Sequence, residues 1–269
     1  MKLSELRAAL LSGGIEEADV EARLLFSQYA GIPASRLFGS DPDLASAALD
    51  EALARRLRRE PLAYILGEAP FYRSVLAVGE GCLIPRADTE RLVEIAIREL
   101  PHGAHFADLC TGSGAIAVTV LSERPDTTAF AVDVSESALR YAAENAARLG
   151  VADRLTLARL DLLKEIPEGR FDAILSNPPY IPSEVVPTLA PEVGHEPSLA
   201  LDGGEDGLVF YRRLLSFSPC LREGGFFLFE CGYDQEVAMA ALAEAHGMSH
   251  TPFYDYGKNY RGVLLRKPI

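Results

Sequence analysis

His105-Phe106-Ala107-Asp108-Leu109-Cys110-Thr111-Gly112-Ser113-Gly114 reads as a strand that runs directly into a glycine-rich turn, with a helix behind it that ends before Pro125. Glycines at such a junction admit a sharp turn and let the backbone approach a ligand closely. Thr128-Ala129-Phe130-Ala131-Val132-Asp133 is the next strand. Its closing acid stands about 20 residues beyond Gly114, the offset at which a carboxylate reaches a ribose hydroxyl. Turn and acid together place an adenosine-type cofactor over the carboxyl edge of a sheet, whereas the turn taken alone also fits glycines that only bend the chain.

The strand–helix alternation continues outward from this unit. A helix over 136–149 is ended by Gly150, and strands follow over 155–160 and 171–176. Further strands over 225–230 and 262–265 flank a helix around 235–245. Such repetition predicts an α/β fold of the Rossmann-like kind, a mainly parallel, doubly wound sheet. Upstream, residues 88–99 form a helix, and the alternation over 71–78 is one strand of a hairpin. Before it lie three short amphipathic helices, with Leu3, Leu6 and Leu10 on the first, 16–29 for the second, and a third opened by Asp41-Pro42-Asp43. The expected organisation is a helical domain over 1–69, a hairpin linker over 70–82 and a catalytic domain over 83–269.

Composition bounds what such a chain does. Its 269 residues are 48% hydrophobic and 24% charged, which suits a folded globular protein and not a disordered one. No apolar run approaches the roughly 18 residues that span a bilayer. The first residues, Met1-Lys2-Leu3-Ser4-Glu5, lack the pattern of a secretory signal. Cys82, Cys110, Cys220 and Cys231 are scattered without the spacing of a zinc site or a disulfide framework, and the histidines do not cluster with acids. No metal and no membrane partner are expected, His195 is expected as an exposed loop residue, and the location is cytoplasmic. The net charge of −13 disfavours broad binding to nucleic acid. Residues 1–73 hold 9 basic and 11 acidic side chains, so most of the acidity lies beyond them. Within that near-neutral part, Arg55, Arg56, Arg58 and Arg59 form either a solvated helix end or a docking surface for a partner.

Asn177-Pro178-Pro179-Tyr180 follows the strand over 171–176, so it sits where a parallel sheet presents its ligand crevice. Prolines stiffen the segment and donate no backbone hydrogen bond. The Asn177 side chain and the Pro178 carbonyl are then acceptors for the N–H bonds of an incoming NH2 group, and Tyr180 offers a face to a planar group. An amide or aromatic amine nitrogen is a weak nucleophile, and holding both of its N–H bonds orients it and supports the charge it gains on attack. In the glycine turn, an acid at the strand end would repel the pyrophosphate of a dinucleotide, but it suits the positive end of S-adenosylmethionine. The two motifs together predict methylation of an amino group.

With both motifs placed, the sequence resembles the protein-(glutamine-N5) methyltransferases of peptide chain release factors, the HemK/PrmC family, over nearly its full length. Pro61-Leu62-Ala63-Tyr64-Ile65-Leu66-Gly67 and Phe71 are similar to the segment before that family's hairpin, and Leu83-Ile84-Pro85-Arg86-Ala87-Asp88-Thr89-Glu90 to its Ile-Pro-Arg signature. Glu196-Pro197, Ala200-Leu201, Gly203-Gly204 and Asp206-Gly207 fit its post-motif loop, and Asp255, Gly257 and Arg261 its C-terminal signature. Cys110 stands where the family usually has glycine.

The resemblance implies transfer of a methyl group from S-adenosylmethionine, with S-adenosylhomocysteine as product, to the glutamine amide in the Gly-Gly-Gln loop of release factors. It implies that Asp108, Cys110, Thr111, Gly112, Ser113 and Gly114 lie at the methionine part of the cofactor. Asp133 with Val134 would take the ribose, and Asp161 with Leu162 the adenine. Asn177, also beside the cofactor, and Pro178 would be catalytic, and with Pro179, Tyr180, Arg86 and Glu196 they would hold the substrate. Arg86 and Glu90 also stand one helical turn apart, where they would pair with each other. The connection over 181–207 is long, and such loops are usually functional; this one is expected to close over the substrate. The alternatives are methylation of adenine or guanine in nucleic acid, with Tyr180 stacked on a flipped base, and a cofactor-binding regulator without catalysis.

Overall fold

The computed structural model describes residues 1–267, so the last two positions of the expected catalytic domain lie outside the described residues. It divides into two compact units: Met1–Glu68 with Ala190–His195, and Ala69–Leu189 with Glu196–Ile269.

The first unit is helical, with α1 (Leu3–Ser12), α2 (Ala18–Ala30), α3 (Ala47–Leu57) and the short α4 (Leu62–Leu66). Leu3, Leu6 and Leu10 of α1 meet Leu25 and Phe26 of α2 and Leu49 of α3 in one buried cluster, as helical spacing requires. Asp41-Pro42-Asp43 does not open the third helix. Asp41 instead accepts hydrogen bonds from the Ser4 backbone and hydroxyl in the first turn of α1, at 2.7 and 2.9 Å, and Ser46 caps α3 by accepting from Leu49 N–H. The arginine cluster is not a solvated terminus either. Arg56 is 5% exposed and pairs with Glu21 at 2.6 Å and Glu192 at 3.0 Å. Arg55 pairs with Glu60, and Arg59 with Glu192. Only the pair of Arg58 with Glu51 leaves both side chains largely in solvent, so the cluster serves this unit's own cohesion.

The second unit begins with a two-stranded hairpin, β1 (Glu68–Phe71) and β2 (Ser74–Ala77). The stretch expected as one strand, 71–78, therefore takes in the end of β1, a turn at Tyr72 with φ +55°, and all of β2. There follow α5 (Glu90–Glu99), β3 (His105–Leu109), α6 (Ala115–Glu123), β4 (Thr128–Asp133), α7 (Glu136–Arg148), β5 (Leu155–Arg159), β6 (Phe171–Ser176), α8 (Val209–Leu215), β7 (Leu221–Glu230), α9 (Glu236–Ala245), β8 (Ser249–Tyr254) and β9 (Tyr260–Arg266). The seven-stranded sheet has the order β5-β4-β3-β6-β7-β9-β8. Its first five strands are parallel, while β9 is antiparallel to both β7 and β8.

Alternation along each strand feeds two cores, one per face. Phe106, Ala173, Leu175, Phe226 and Leu228 enter one buried cluster, while Ala107, Leu109, Ile174, Phe227 and Phe229 enter the other. This is the period of two expected of strands covered on both sides. The chain leaves β3 in one direction through β4 and β5, then returns to place β6 on the other side of β3. The turn after β3 and the segment after β6 thus share the point where the strand order reverses, the usual ligand crevice of such sheets.

Asn145 of α7 ties the hairpin to the glycine turn. Fully buried, it accepts from Ala77 N–H at 2.6 Å and donates to Ala77 O at 3.0 Å and Ser113 O at 2.9 Å. Replacing it by alanine strands three buried backbone groups, and the expected loss in stability is about 3 kcal/mol. Urea unfolding of Asn145→Ala measures it, and a loss below about 1 kcal/mol would show that water replaces these bonds.

Candidate active site

The turn after β3 is held from below. Asp108, in the last turn of the strand, has its side chain fully buried, and its Oδ2 accepts from the Thr111 hydroxyl at 2.6 Å and from Ala117 N–H at 3.1 Å. Its Oδ1 is buried with no partner. Burial pushes this carboxyl up to about 7, against the two hydrogen bonds and with the nearby charge of Asp133 adding to the rise. Asp108 therefore does not form part of the cavity wall, contrary to expectation. It lacks solvent access because it faces the first turn of α6 and supports the loop.

Gly114 is likewise absent from the wall. It precedes α6 with φ +79°, and a Cβ there would meet the Ala142 Cβ and Cα at 3.1 and 3.2 Å, so the residue secures the packing of α6 on α7.

Between them, Cys110, Thr111, Gly112 and Ser113 do border a cavity of about 330 Å³ at the carboxyl edge of the sheet. Asp133, at the end of β4, borders it too. Its oxygens accept from Gly112 N–H and Ser135 N–H, both at 2.9 Å, which fixes the carboxylate against the turn. Burial raises its pKa, and those backbone donors oppose the rise. Val134, Asp161 and Leu162 complete the part expected for a cofactor. Asp161 also stabilises its own loop, accepting from Leu163 N–H at 3.1 Å and pairing with Lys164 at 2.7 Å. Cys110 adopts φ +61°, and burial with the charges of Asp133 and Asp108 pushes its thiol well above the ordinary range.

From β6, Asn177 and Pro179 reach the wall, whereas Pro178 and Tyr180 do not. Pro178 is buried. Tyr180 packs against the core cluster that holds Phe229 and Tyr211, so its ring is not free for stacking in the cavity. Arg86 borders the cavity but does not pair with Glu90, whose Oε1 accepts from Tyr72 N–H at 2.8 Å. Arg86 pairs instead with Glu196. Glu196 is 6% exposed and also accepts from Ile84 N–H at 2.9 Å, which makes it a strut between two loops and takes it out of the wall. From the long connection, Pro197, Leu199 and Ala200 line the cavity. His195 is exposed, and among the described residues no group of three or more His, Cys, Asp or Glu side chains is placed to hold a metal ion.

Sequence reasoning missed Gly81, Cys82, Thr89 and Phe210, all in the wall. Thr89 carried a signal, since it lies in the signature 83–90. Phe210 carried none, because helix α8 was not expected there.

Two family models match the chain: the PrmC N-terminal domain over residues 2–67 and the methyltransferase small domain over 89–212. A release factor glutamine methyltransferase of Cereibacter sphaeroides is 46% identical over 253 residues, 91% of this chain and 90% of that protein. One from Caulobacter vibrioides is 41% identical over 247 residues, 88% and 85% of the two chains. Among solved structures, the human methyltransferase 10 domain containing protein superposes with a TM-score of 0.50 at 18% identity, covering 71% of this chain and 89% of that one, a likeness of fold. Fold, cavity and matches define a methyltransferase. More narrowly, the chain belongs to the release factor glutamine methyltransferase family, as the motifs implied.

The Asp108 carboxyl has a direct consequence for stability. Its proton is bound more tightly in the folded than in the unfolded chain, so its stabilising share is complete in acid and is lost as the pH rises toward about 7. Asp108→Asn does not titrate. Urea unfolding is expected to show the variant gaining on the wild type between about pH 5 and about pH 8, and a constant gap would overturn the assignment.

Proposed function

We propose that this chain transfers the methyl group of S-adenosylmethionine to the side-chain amide nitrogen of a glutamine in the Gly-Gly-Gln loop of a peptide chain release factor. The observation that carries the reading is the position of Asn177, in the wall of the cavity that the glycine turn and Asp133 also border.

The residues present fit this cofactor better than a dinucleotide. A pyrophosphate at this turn would need free backbone N–H groups at the start of the helix. Here two of those donors are taken, Ala117 N–H by Asp108 and Gly112 N–H by Asp133, which leaves fewer for a phosphate. The Asp133 carboxylate suits ribose hydroxyls, and Leu160, Leu162 and Ala138 offer apolar walls to a purine. Cys110 to Ser113 would lie along the methionine part. When bound, S-adenosylmethionine supplies an electrophilic methyl on its sulfonium and leaves as S-adenosylhomocysteine.

The chain's own part is orientation. Asn177 Oδ1 accepts an N–H bond of the glutamine amide, which aims the nitrogen at the methyl and supports its developing charge, while Pro178, buried behind the wall, is not assigned the second bond. Pro179 keeps the segment rigid, and no strong base is needed because the proton leaves after transfer. Arg86, held by Glu196, borders the substrate end. The helical unit presents the release factor, and the hairpin connects it to the catalytic unit. The protein acts in the cytoplasm, where release factors work; no helix among the described residues is long and apolar enough to cross a membrane.

Asn177→Ala is expected to lower methylation at least about a hundredfold while cofactor affinity stays within about threefold. Labelled S-adenosylmethionine, a purified release factor and mapping of the modified residue provide the assay. Retained activity in the variant, or label on nucleic acid in place of glutamine, would overturn the reading.

A further inference from the structure

Glu230 closes β7 at the same edge of the sheet. Phe229 pairs with Ser176, so Glu230 and Asn177 are the next residues on adjacent parallel strands. Glu230 is 1% exposed, a costly place for a carboxyl, and its Oε2 is buried with no hydrogen-bond partner. The Thr89 hydroxyl and the Asn177 carboxamide lie against this carboxyl. They are also joined to each other, Asn177 Nδ2 donating to Thr89 Oγ1 at 3.2 Å.

A carboxamide has one donor end and one acceptor end, and a hydroxyl satisfies either by rotating. Thr89 alone would let Asn177 turn its NH2 group into the cavity, where it would meet another NH2 group. An ionised carboxyl removes that freedom, because it only accepts. It orders the hydroxyl and attracts the Asn177 NH2 group, leaving Oδ1 for the cavity. We propose that Glu230 is the positioning residue that fixes Asn177 with its acceptor oxygen toward the substrate, and so sets the site to receive an N–H donor. The proposal deepens the methyl-transfer reading and rests on it.

Ionisation of Glu230 then controls the polarity of the site. Burial, with the charge of Asp88, raises this carboxyl to about 7, against Thr89, Arg261 and Asn177. Arg261 of β9 is shared with Asp88 and Asp255, at 3.1 and 3.2 Å. The other titratable groups facing it are Tyr180, Tyr211 and Cys231, which burial keeps neutral. Below this pH the protonated carboxyl donates to Asn177 and frees the amide to turn.

The test uses the full chain in two arms. In the kinetic arm, Glu230→Gln is expected to lower kcat on the order of ten- to a hundredfold with unchanged affinity for S-adenosylmethionine. The wild type should lose kcat below about pH 7, a limb absent from the variant. In the second arm, which needs neither cofactor nor release factor, NMR follows the Asn177 side-chain amide signals, assigned by their loss in Asn177→Asp. They should shift with a midpoint of about 7 in the wild type and stay still in Glu230→Gln. Static wild-type signals overturn the proposal even if the enzyme methylates, as does a variant with wild-type kcat and pH profile. Titrating signals in a protein that methylates no release factor overturn the functional reading and leave Glu230 as the group that orients Asn177. If Glu230→Gln fails to fold, the wild-type titration and the loss of its coupling in Thr89→Val decide.

Discussion

The Asp108 carboxyl is buried at the foot of the glycine turn, and the shape of the cavity depends on how it is satisfied there. Its Oδ2 reaches Ala117 N–H in the first turn of α6 and the Thr111 hydroxyl in the loop. It thereby meets one of the unpaired donors every helix start leaves open, using a side chain from the preceding strand in place of a local cap. Strand, loop and helix are locked to one another. The turn is further secured by Thr111 N–H donating to Val132 O at 2.9 Å and by Asn145 on the far side. Only because the loop is fixed on both flanks does Asp133 meet Gly112 in a single geometry.

The same economy of donors decides the chemistry of the pocket. Helix starts attract anions through their free N–H groups and their dipole. In this chain two of those donors, Gly112 N–H and Ala117 N–H, are bound to its own carboxylates, and Asp133 stands in the pocket wall beside the turn. A cofactor with a cationic end and a neutral sugar matches that polarity.

Much of the catalytic unit was legible because its central strands are short apolar runs closed by a glycine turn or a polar residue. β3, β4 and β6 are of this kind, and so are the ends that matter most, Gly112, Asp133 and Asn177. What stayed hidden depends on partners distant in sequence. Strand β8 contains Pro252, which an edge strand tolerates but which breaks the pattern of a strand. Arg56 looked like part of an exposed charge run, and only folding brings Glu21 and Glu192 to it. Arg86 and Glu90 sit at helical spacing, yet each finds a partner elsewhere, in Glu196 and in Tyr72 N–H. Glu230 was overlooked although it follows the rule that revealed Asp133: an acid closing an apolar strand, here Phe226-Phe227-Leu228-Phe229-Glu230.

Cys110 puts a thiol beside a pocket proposed to hold an electrophilic methyl. Thiolates are strong nucleophiles, and a thiolate fixed beside a sulfonium would be alkylated by the enzyme's own methyl donor. Burial and the two neighbouring carboxylates keep Cys110 protonated. Burial, reinforced by the neighbouring carboxylates, thus holds the sulfur in its weakly nucleophilic thiol form, which suits a pocket proposed to receive an alkylating agent.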